Sequence, residues 1–253
     1  MTQRNQVLLI IVVLISVGIW FFLHRKTTLQ PKESDTIIVG TNAEYPPFTF
    51  IENNTIVGFD IDVVKEVVKR LGKKIEIKDM PFDALIPAIQ LGTIHVAAAG
   101  LTPRPEREKT IFYTKPYMDA DPFIIISPTN VPINTLEELT GKKVVVNEGF
   151  TADYYISGIK GPIITRLFTV SEALLSMKSG RADAFVTARS SVQYFFAKQG
   201  KDAFHTAIIP NTEEIYALGV CKKYSELFSQ IQTILEEMTT DGTLEIIKKK
   251  WNL

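Results

Sequence analysis

Short β-branched segments alternate with amphipathic helical segments through most of this chain, and that alternation constrains the fold more than any other feature of the sequence. Residues 36–39 form a β-branched run, and residues 60–71 place five aliphatic side chains on one helical face. Residues 75–77 predict the next strand, and residues 84–91 predict a helix with Pro87 near its first turn, where a missing N–H group costs least. The alternation predicts an α/β fold with layered, mostly parallel sheets.

The second half of the chain repeats this plan. Residues 143–147 predict a strand, residues 172–179 a helix that ends at a glycine, and residues 182–187 another strand. The segment DALIPAIQLGTIHVAAAG (83–100) is echoed by EALLSMKSGRADAFVTA (172–188), and both contain an acid-Ala-Leu start, a glycine and an alanine-rich strand. Two similar βα units far apart in sequence predict two lobes of like construction.

An apolar run at 7–23 precedes the α/β region, with Arg4 before it and basic residues directly after it. Its length lies between that of a signal-peptide core and that of a membrane span of about 20 residues. Residues 1–34 are therefore predicted to be a signal peptide or an uncleaved signal anchor, and both alternatives imply export. Cys221 is the single cysteine, so the exported part has neither an N-terminal lipid-attachment cysteine nor an internal disulfide.

The charge balance argues against a nucleic-acid partner. The whole chain has 28 basic and 28 acidic side chains, and residues 1–34 hold four of the basic and one of the acidic, which leaves 24 and 27. The exported part thus has a net charge of about −3, whereas nucleic-acid binding requires a concentrated basic surface.

Polar loops follow the predicted strands. In a mostly parallel sheet, ligands bind beyond the carboxyl ends of the strands. Arg107 offers a planar guanidinium that matches a carboxylate, Thr102 a hydroxyl, and Gly100 a backbone that a ligand can approach closely. Thr151 is predicted to begin a helix, whose free N–H groups attract an anion. The four loops concerned are 42–47, 100–107, 148–153 and 188–191.

Each of these residues also has a plainer interpretation. An arginine in a polar loop is commonly a solvated charge, Tyr45 and Phe82 are compatible with a core position, and a threonine before a helix is commonly a cap. It is the combination of these residues that indicates a ligand site.

Seven motifs follow one another in the exported chain: YPPFTF (45–50), VGFDIDV (57–63), FDALIPAIQLG (82–92), AAGLTPRPERE (98–108), LEELTGKKVVVNEG (136–149), GRADAFV (180–186) and DGTLEIIKKKW (241–251). In this order and spacing they resemble the polar amino-acid binding proteins of ABC importers, which are family 3 extracellular solute-binding proteins. The resemblance covers nearly all of the exported chain.

The resemblance implies the two-lobed periplasmic-binding-protein fold of type II, an α/β fold whose lobes are joined by two crossover strands and close over a ligand in the cleft between them. Lobe 1 is expected to comprise 36–119 and 217–253, and lobe 2 to comprise 122–213. The implied function is that of a periplasmic or otherwise extracytoplasmic binding component of an ABC importer. Its implied partners are a free amino acid and a membrane permease, and it is expected to be a monomer without cofactor, metal or catalytic residues.

By the same resemblance, Arg107 would bind the α-carboxylate of the ligand, together with the N–H groups of Thr102 and Thr151. The carbonyl group of Gly100 and the hydroxyl group of Thr102 would accept from the α-ammonium group. Ala99 occupies a further position in this loop.

The ligand side chain would lie between Tyr45 and Phe82, which suits a planar guanidinium. Asn42, Glu44 and Phe150 occupy further positions near this pocket. Glu44 or Asn42 at its end favours arginine, and glutamine is the alternative because an amide could pair with Asn42.

The chain departs from the family pattern at two places. The family usually has an aspartate that binds the α-ammonium group at the position of Ala188, and Glu148 and Asp153 are the nearest carboxylates in sequence that could replace it. Pro103 and Arg104 also replace residues of the usual loop, and the direction of the Arg104 side chain cannot be inferred from sequence.

Two other function classes are compatible with parts of this sequence. Related folds include dehydratases that act on cyclic carboxylates, and Glu148 would be the general acid of such an enzyme. The sequence contains no nucleophile beside a base, no phosphate-binding glycine motif and no metal-ligand spacing. A membrane-tethered sensor or adhesin is the second alternative, if 7–23 is retained.

Overall fold

The computed structural model describes residues 35–253, apart from the side chain of Gln199. The predicted signal segment at 1–34, including the apolar run at 7–23, lies outside the described residues. No helix within 35–253 combines the length and the apolar composition that a membrane crossing requires.

The chain forms thirteen strands and eight α-helices over the described residues. The first part contains β1 (Thr36–Thr41), β2 (Glu44–Tyr45), β3 (Thr49–Glu52), β4 (Thr55–Val57), α1 (Phe59–Arg70), β5 (Lys74–Asp79), α2 (Phe82–Leu91), β6 (Val96–Ala97), α3 (Pro105–Glu108) and β7 (Ile111–Tyr113). The middle part contains β8 (Phe123–Pro128), the 3-10 turn Glu137–Leu139, β9 (Lys143–Asn147), α4 (Thr151–Ser157), β10 (Ile163–Leu167), α5 (Val170–Lys178), β11 (Ala184–Ala188), α6 (Arg189–Gln199) and β12 (Phe204–Ile208). The last part contains β13 (Gly219–Cys221), α7 (Ser225–Thr240) and α8 (Thr243–Trp251).

Two five-stranded sheets of the same design form the centres of the two lobes. Lobe 1 has the strand order β5-β1-β6-β13-β7, and lobe 2 has the order β10-β9-β11-β8-β12. In lobe 1, β1 is parallel to β5 and β6, and β13 is antiparallel to both of its neighbours. In lobe 2, β9 is parallel to β10 and β11, and β8 is antiparallel to both of its neighbours. The prediction of two similar α/β lobes is confirmed.

Helix α1 buries the aliphatic face that its sequence periodicity predicted. Its aliphatic side chains Ile61, Val64, Val67 and Val68 are buried, and the acidic residues of its first turn are favourably placed at the positive end of the helix. Gly72 follows with φ +66°, a conformation that stops the helix at little cost for glycine.

Helix α2 differs from its predicted bounds of 84–91. It begins at Phe82, directly after Pro81, so Pro87 lies inside the helix rather than near its first turn. The aliphatic pattern begins only at Ala84, but Phe82 and Asp83 add a first turn, with the acidic side chain at the positive helix end.

Two crossover segments join the lobes, as the resemblance implied. They meet in an isolated antiparallel bridge between Asp121 and Glu214. The N–H group of Asp121 donates to the Glu214 carbonyl at 2.9 Å, and the N–H group of Glu214 donates to the Asp121 carbonyl at 2.8 Å. This bridge places two acidic side chains opposite each other at the base of the cleft.

Candidate functional site

The loops at the carboxyl ends of the strands of the two lobes meet in the cleft. Phe150, after β9, contacts Tyr45 and Phe82, which follow β1 and β5. The Nη2 atom of Arg107 in α3 donates to the carbonyl oxygen of Gly149 at 3.4 Å. The structure therefore brings together three of the four loops from which the site was predicted.

A cavity of about 520 Å³ opens between the lobes beside these contacts. Its carboxylates come from both lobes, and no lysine or arginine lies among its lining residues in the described part of the chain. The lining residues are Asn42, Glu44, Asp79, Met80, Pro81, Phe82, Asp83, Glu148, Phe150, Phe168, Thr169 and Glu172. Four predicted site residues thus line it: Asn42, Glu44, Phe82 and Phe150.

Two of the five cavity carboxylates have structural roles. Asp79 Oδ1 accepts from the Ala43 N–H group at 2.9 Å, and Glu172 forms a capping box with Thr169 at the start of α5. The carboxylate groups of Glu44 and Asp83, by contrast, form no hydrogen bond or ion pair with any described residue. The cavity therefore contains acidic groups that are not neutralised by the protein.

The aromatic side chains differ from the predicted arrangement. The ring of Phe150 is stacked on that of Phe82, with 4.4 Å between centroids and an interplanar angle of 15°, and lies 4.8 Å from the ring of Tyr45. Phe150 thus contacts both rings between which the ligand side chain was expected. The physical reason is burial of apolar surface: this ring is only 7 % exposed where the lobes meet.

The two arginines of the loop after β6 both reach the opposite lobe. Arg107 reaches Gly149 of lobe 2 through its Nη2 atom, and its guanidinium carbon lies 5.8 Å from the centroid of the Phe82 ring of lobe 1. The Arg104 guanidinium carbon lies 3.4 Å from the centroid of the Tyr154 ring in α4, and Arg104 also pairs with Glu106. The structure thereby answers the question that the sequence left open about Arg104, since its cation lies on an aromatic face of lobe 2.

Gly100 adopts φ +61°, and a Cβ atom there would lie 2.8 Å from Cε1 of Tyr45. Its N–H group donates to Asp60 Oδ2 at 2.5 Å. Burial raises the pKa of Asp60 to about 7. Asp60 was not among the predicted site residues, although it stands as an acid beside apolar residues in the VGFDIDV motif. Ala99 is fully buried in an apolar cluster with Leu85, so it can offer the cleft only its backbone.

A second group of polar side chains lies at the base of the cleft, around the crossover bridge. The Tyr216 hydroxyl is 3.1 Å from Glu214 Oε2 and 3.3 Å from Asp121 Oδ2. Burial raises the pKa of Glu214 to about 7, and the hydroxyls of Thr151, Tyr216 and Thr102 are close enough to oppose that rise. Burial also raises the pKa of Asp121.

Asp121, Glu214 and Tyr216 were not among the predicted site residues. The available signal was the segment EEIYALGV, which places an acid beside a mostly apolar run. Asp121 gave no comparable signal.

Glu148 and Asp153, the two carboxylates that could replace the ammonium-binding aspartate of the family at position 188, lie elsewhere. Asp153 accepts from the Gly149 N–H group at 3.1 Å and from Arg166 Nε at 3.0 Å, so its charge is already paired. Glu148 lines the cavity. Ala188 itself is buried at the end of β11, paired with Phe123, and Asp121 accepts from the N–H group of Ser190 two residues further on, at 3.1 Å.

No group of three or more histidine, cysteine, aspartate and glutamate side chains within 35–253 is arranged to hold a metal ion. What the arrangement offers is a cleft between two α/β lobes, with acidic, aromatic and hydroxyl groups converging from both sides. Such a cleft defines a two-lobed binding protein for a small polar ligand.

Comparisons with known proteins agree with this class. Residues 37–253 match the family described as bacterial extracellular solute-binding proteins, family 3. The chain is 32% identical over 225 residues to the arginine-binding extracellular protein ArtP of Bacillus subtilis, with 85% of each chain covered. It is 30% identical over 236 residues to the glutamine-binding protein GlnH of the same organism, with 90% of this chain and 85% of the relative covered.

A solved structure of an ancestral arginine-binding protein bound to arginine is 39% identical to this chain, with a TM-score of 0.79. The match covers 86% of this chain and 98% of the solved chain. This chain belongs to the family 3 bacterial extracellular solute-binding proteins. It is therefore a solute-binding protein rather than an enzyme, and its place of action is extracytoplasmic.

Proposed function

We propose that this protein delivers a cationic amino acid, with arginine as the preferred ligand, to the permease of an ABC importer. The observation that carries the proposal is the cavity between the lobes, which has five carboxylates and no basic residue among its described lining residues. A cationic side chain would offset part of this negative charge, in particular that of Glu44 and Asp83, whereas a neutral amide would leave it uncompensated.

The aromatic rings beside the cavity support a planar cation. A guanidinium stacks on an aromatic face and donates hydrogen bonds in its plane, so Phe82 and Phe150 would contact its faces while Glu44 accepts at its edge. Since Phe150 lies against Tyr45 and Phe82, we propose that the guanidinium enters by displacing Phe150 from one of these two rings. Asn42, whose amide donates to the Met80 carbonyl at 3.4 Å, would border the same end.

At the other end of the ligand, Arg107 would bind the α-carboxylate. Its guanidinium spans the cleft to Gly149, so a carboxylate between the lobes would replace a 3.4 Å contact with a bidentate, charge-assisted one. The N–H groups of Thr102 and Thr151 and the carbonyl of Gly100 would complete this end, with Ala99 contributing only backbone.

Glutamine is the second candidate, because a relative of similar identity is named a glutamine-binding protein. The arginine-binding names of another relative and of a solved structure support the first candidate equally well by similarity. The acidic lining of the cavity supports the cationic candidate.

The organisation of the protein follows the same proposal. We propose that lobe 1 comprises 36–119 and 217–253 and lobe 2 comprises 122–213, and every strand of the two large sheets falls within these ranges. We further propose that the protein acts as a monomer that presents its closed form to the permease, and that residues 7–23, if retained, hold it at the membrane.

Calorimetric titration of the purified protein with arginine, lysine and glutamine tests the ligand. We expect arginine to bind best and Glu44→Gln to weaken it about 10- to 100-fold, since a hydrogen bond to a charged group contributes about 1.5–3 kcal/mol. Glu226→Gln, which changes an exposed glutamate of α7 outside the cleft, is the matched control. Binding of glutamine without arginine, or unchanged arginine affinity in Glu44→Gln, would contradict the assignment.

A further inference from the structure

The crossover bridge places two carboxylates together at the base of the cleft. Asp121 and Glu214 are direct partners in an antiparallel bridge, and their side chains are 1 % and 3 % exposed. Like charges opposite each other in such a pair repel, and burial increases the cost because water no longer screens them. The pair therefore requires protons or a cation.

Among residues 35–253, a cation lies close to one of the two carboxylates and not to the other. Arg189 Nε lies 3.8 Å from Asp121 Oδ1, and its side chain is half-exposed. Glu214 forms no ion pair with any described residue. Tyr216 has a single hydroxyl proton, which lies between Glu214 Oε2 and Asp121 Oδ2 and cannot satisfy both carboxylates.

Hydroxyl groups from both lobes approach Glu214. Thr102 lies in the loop after β6 of lobe 1, and Thr151 is the first residue of α4 in lobe 2. The Thr102 Oγ1 atom is buried and has no hydrogen bond of normal geometry to any described residue. A buried carboxylate that has hydroxyl groups around it but no counter-ion is a place where a cation with several donors can bind.

We propose that Glu214, supported by Asp121 across the crossover bridge, binds the α-ammonium group of the ligand, with the Thr102 hydroxyl as a second acceptor. This inference rests on the proposed function and adds the residues that recognise the amino group. An ammonium has three donors and a compact charge, so it can serve Glu214 and Thr102 Oγ1 together. The α-carboxylate of the same ligand then extends towards Arg107, which follows Thr102 in the same loop.

Ammonium binding at the crossover also explains why the ligand would promote closure. Thr102 of lobe 1 and Thr151 of lobe 2 both approach Glu214 in this structure. A cation that binds Glu214 and Thr102 together would favour this arrangement of the lobes over one in which they lie further apart.

A proton leaves when the ammonium arrives. Burial raises the pKa of Glu214 to about 7 and also raises that of Asp121, so the empty pair holds a proton in mildly acidic solution. The ammonium favours the ionised pair, and the proton passes to solvent. The other charged or titratable groups that face the pair are Tyr45, Tyr216 and Arg189. Affinity should therefore rise with pH up to the pKa and fall about tenfold per pH unit below it.

Calorimetry with two ligands tests the assignment. Arginine is compared with 5-guanidinopentanoic acid, which is arginine without its α-amino group, on the wild-type chain, Glu214→Gln and the control Glu226→Gln. The wild type and the control should prefer arginine by about 30-fold or more, as expected for a buried charge pair. Glu214→Gln should lose most of that preference and bind 5-guanidinopentanoic acid within about threefold of wild type.

Titrations of arginine at pH 6 and 8, each in two buffers of different ionisation enthalpy, give the proton count. The wild type should release a proton at pH 6 and bind more weakly there, and Glu214→Gln should show neither effect. If Glu214→Gln does not fold, Thr102→Val removes the second acceptor and should lower arginine affinity about tenfold without changing that of 5-guanidinopentanoic acid.

The outcomes separate this inference from the proposed function. Arginine binding with an unchanged preference in Glu214→Gln, or in Thr102→Val where that variant is used, overturns the ammonium site and leaves the proposed function standing. A wild-type chain that does not bind arginine overturns the proposed function, and the ammonium site with it.

Discussion

Asp60→Asn should stabilise the protein, and only at high pH. Asp60 is fully buried, its Oδ2 atom accepts from the Gly100 N–H group at 2.5 Å, and its Oδ1 atom has no hydrogen-bond partner among the described residues. Burial raises its pKa from 3.8 to about 7. An asparagine can keep the acceptor towards Gly100 while its NH₂ group donates towards the Tyr117 hydroxyl, which is also buried and lies beside Asp60.

The pKa shift determines the sign and the size of the effect. Between pH 3.8 and about 7 the folded protein holds a proton on Asp60 that the unfolded chain has lost, so stability falls as pH rises. The whole shift corresponds to about 4 kcal/mol, of which about 3 kcal/mol lies between pH 5 and pH 8. Asp60→Asn removes this pH-dependent loss of stability. Glu214 also has a raised pKa, but its effect is the same in the wild type and in the variant, so it cancels in the difference between their stabilities.

Thermal melts at pH 5 and pH 8 measure this. For a chain of this size, about 3 kcal/mol corresponds to a Tm difference that grows by roughly 6–12 °C between the two pH values. The matched control is Asp62→Asn in the same helical turn, where the carboxylate pairs with Lys250 and accepts from the Trp251 indole N–H group. That variant should gain no stability at pH 8. A Tm difference for Asp60→Asn that is the same at both pH values would refute the reasoning.

Two further predictions concern the loop after β6. Gly100→Ala should lower the free energy of unfolding by roughly 1–3 kcal/mol, because φ is +61° and the new Cβ atom would lie 2.8 Å from Tyr45 Cε1. An unchanged urea midpoint would contradict this prediction. The control for backbone strain alone is Gly72→Ala, whose new Cβ atom meets no atom within 4 Å. Arg104→Gln removes the guanidinium from the Tyr154 ring across the cleft and should speed ligand dissociation severalfold in stopped-flow measurements, since such a contact contributes about 0.5–2 kcal/mol. Equal dissociation rates would show that this contact does not hold the lobes together.

The local elements and the type of fold follow from patterns that the sequence displays. Strand β9 has its predicted bounds, α1 begins one residue early, and the glycine after it stops it as expected. These features depend on backbone hydrogen bonding and on apolar periodicity within a window of about a dozen residues, which a single sequence displays. The motifs that carried the family resemblance led to the same two lobes and to the loops that meet in the cleft.

Which side chains become partners depends on the packing of distant segments. Phe150 contacts Phe82 rather than leaving a slot, Ala99 faces an apolar cluster, and Asp153 is paired with Arg166. Asp121 and Glu214 are unremarkable as isolated acids in the sequence, yet the crossover bridge buries them side by side. The physical reason is that pairing and burial of distant residues follow from how the lobes pack and cross over, and neither property is encoded within a local stretch of chain.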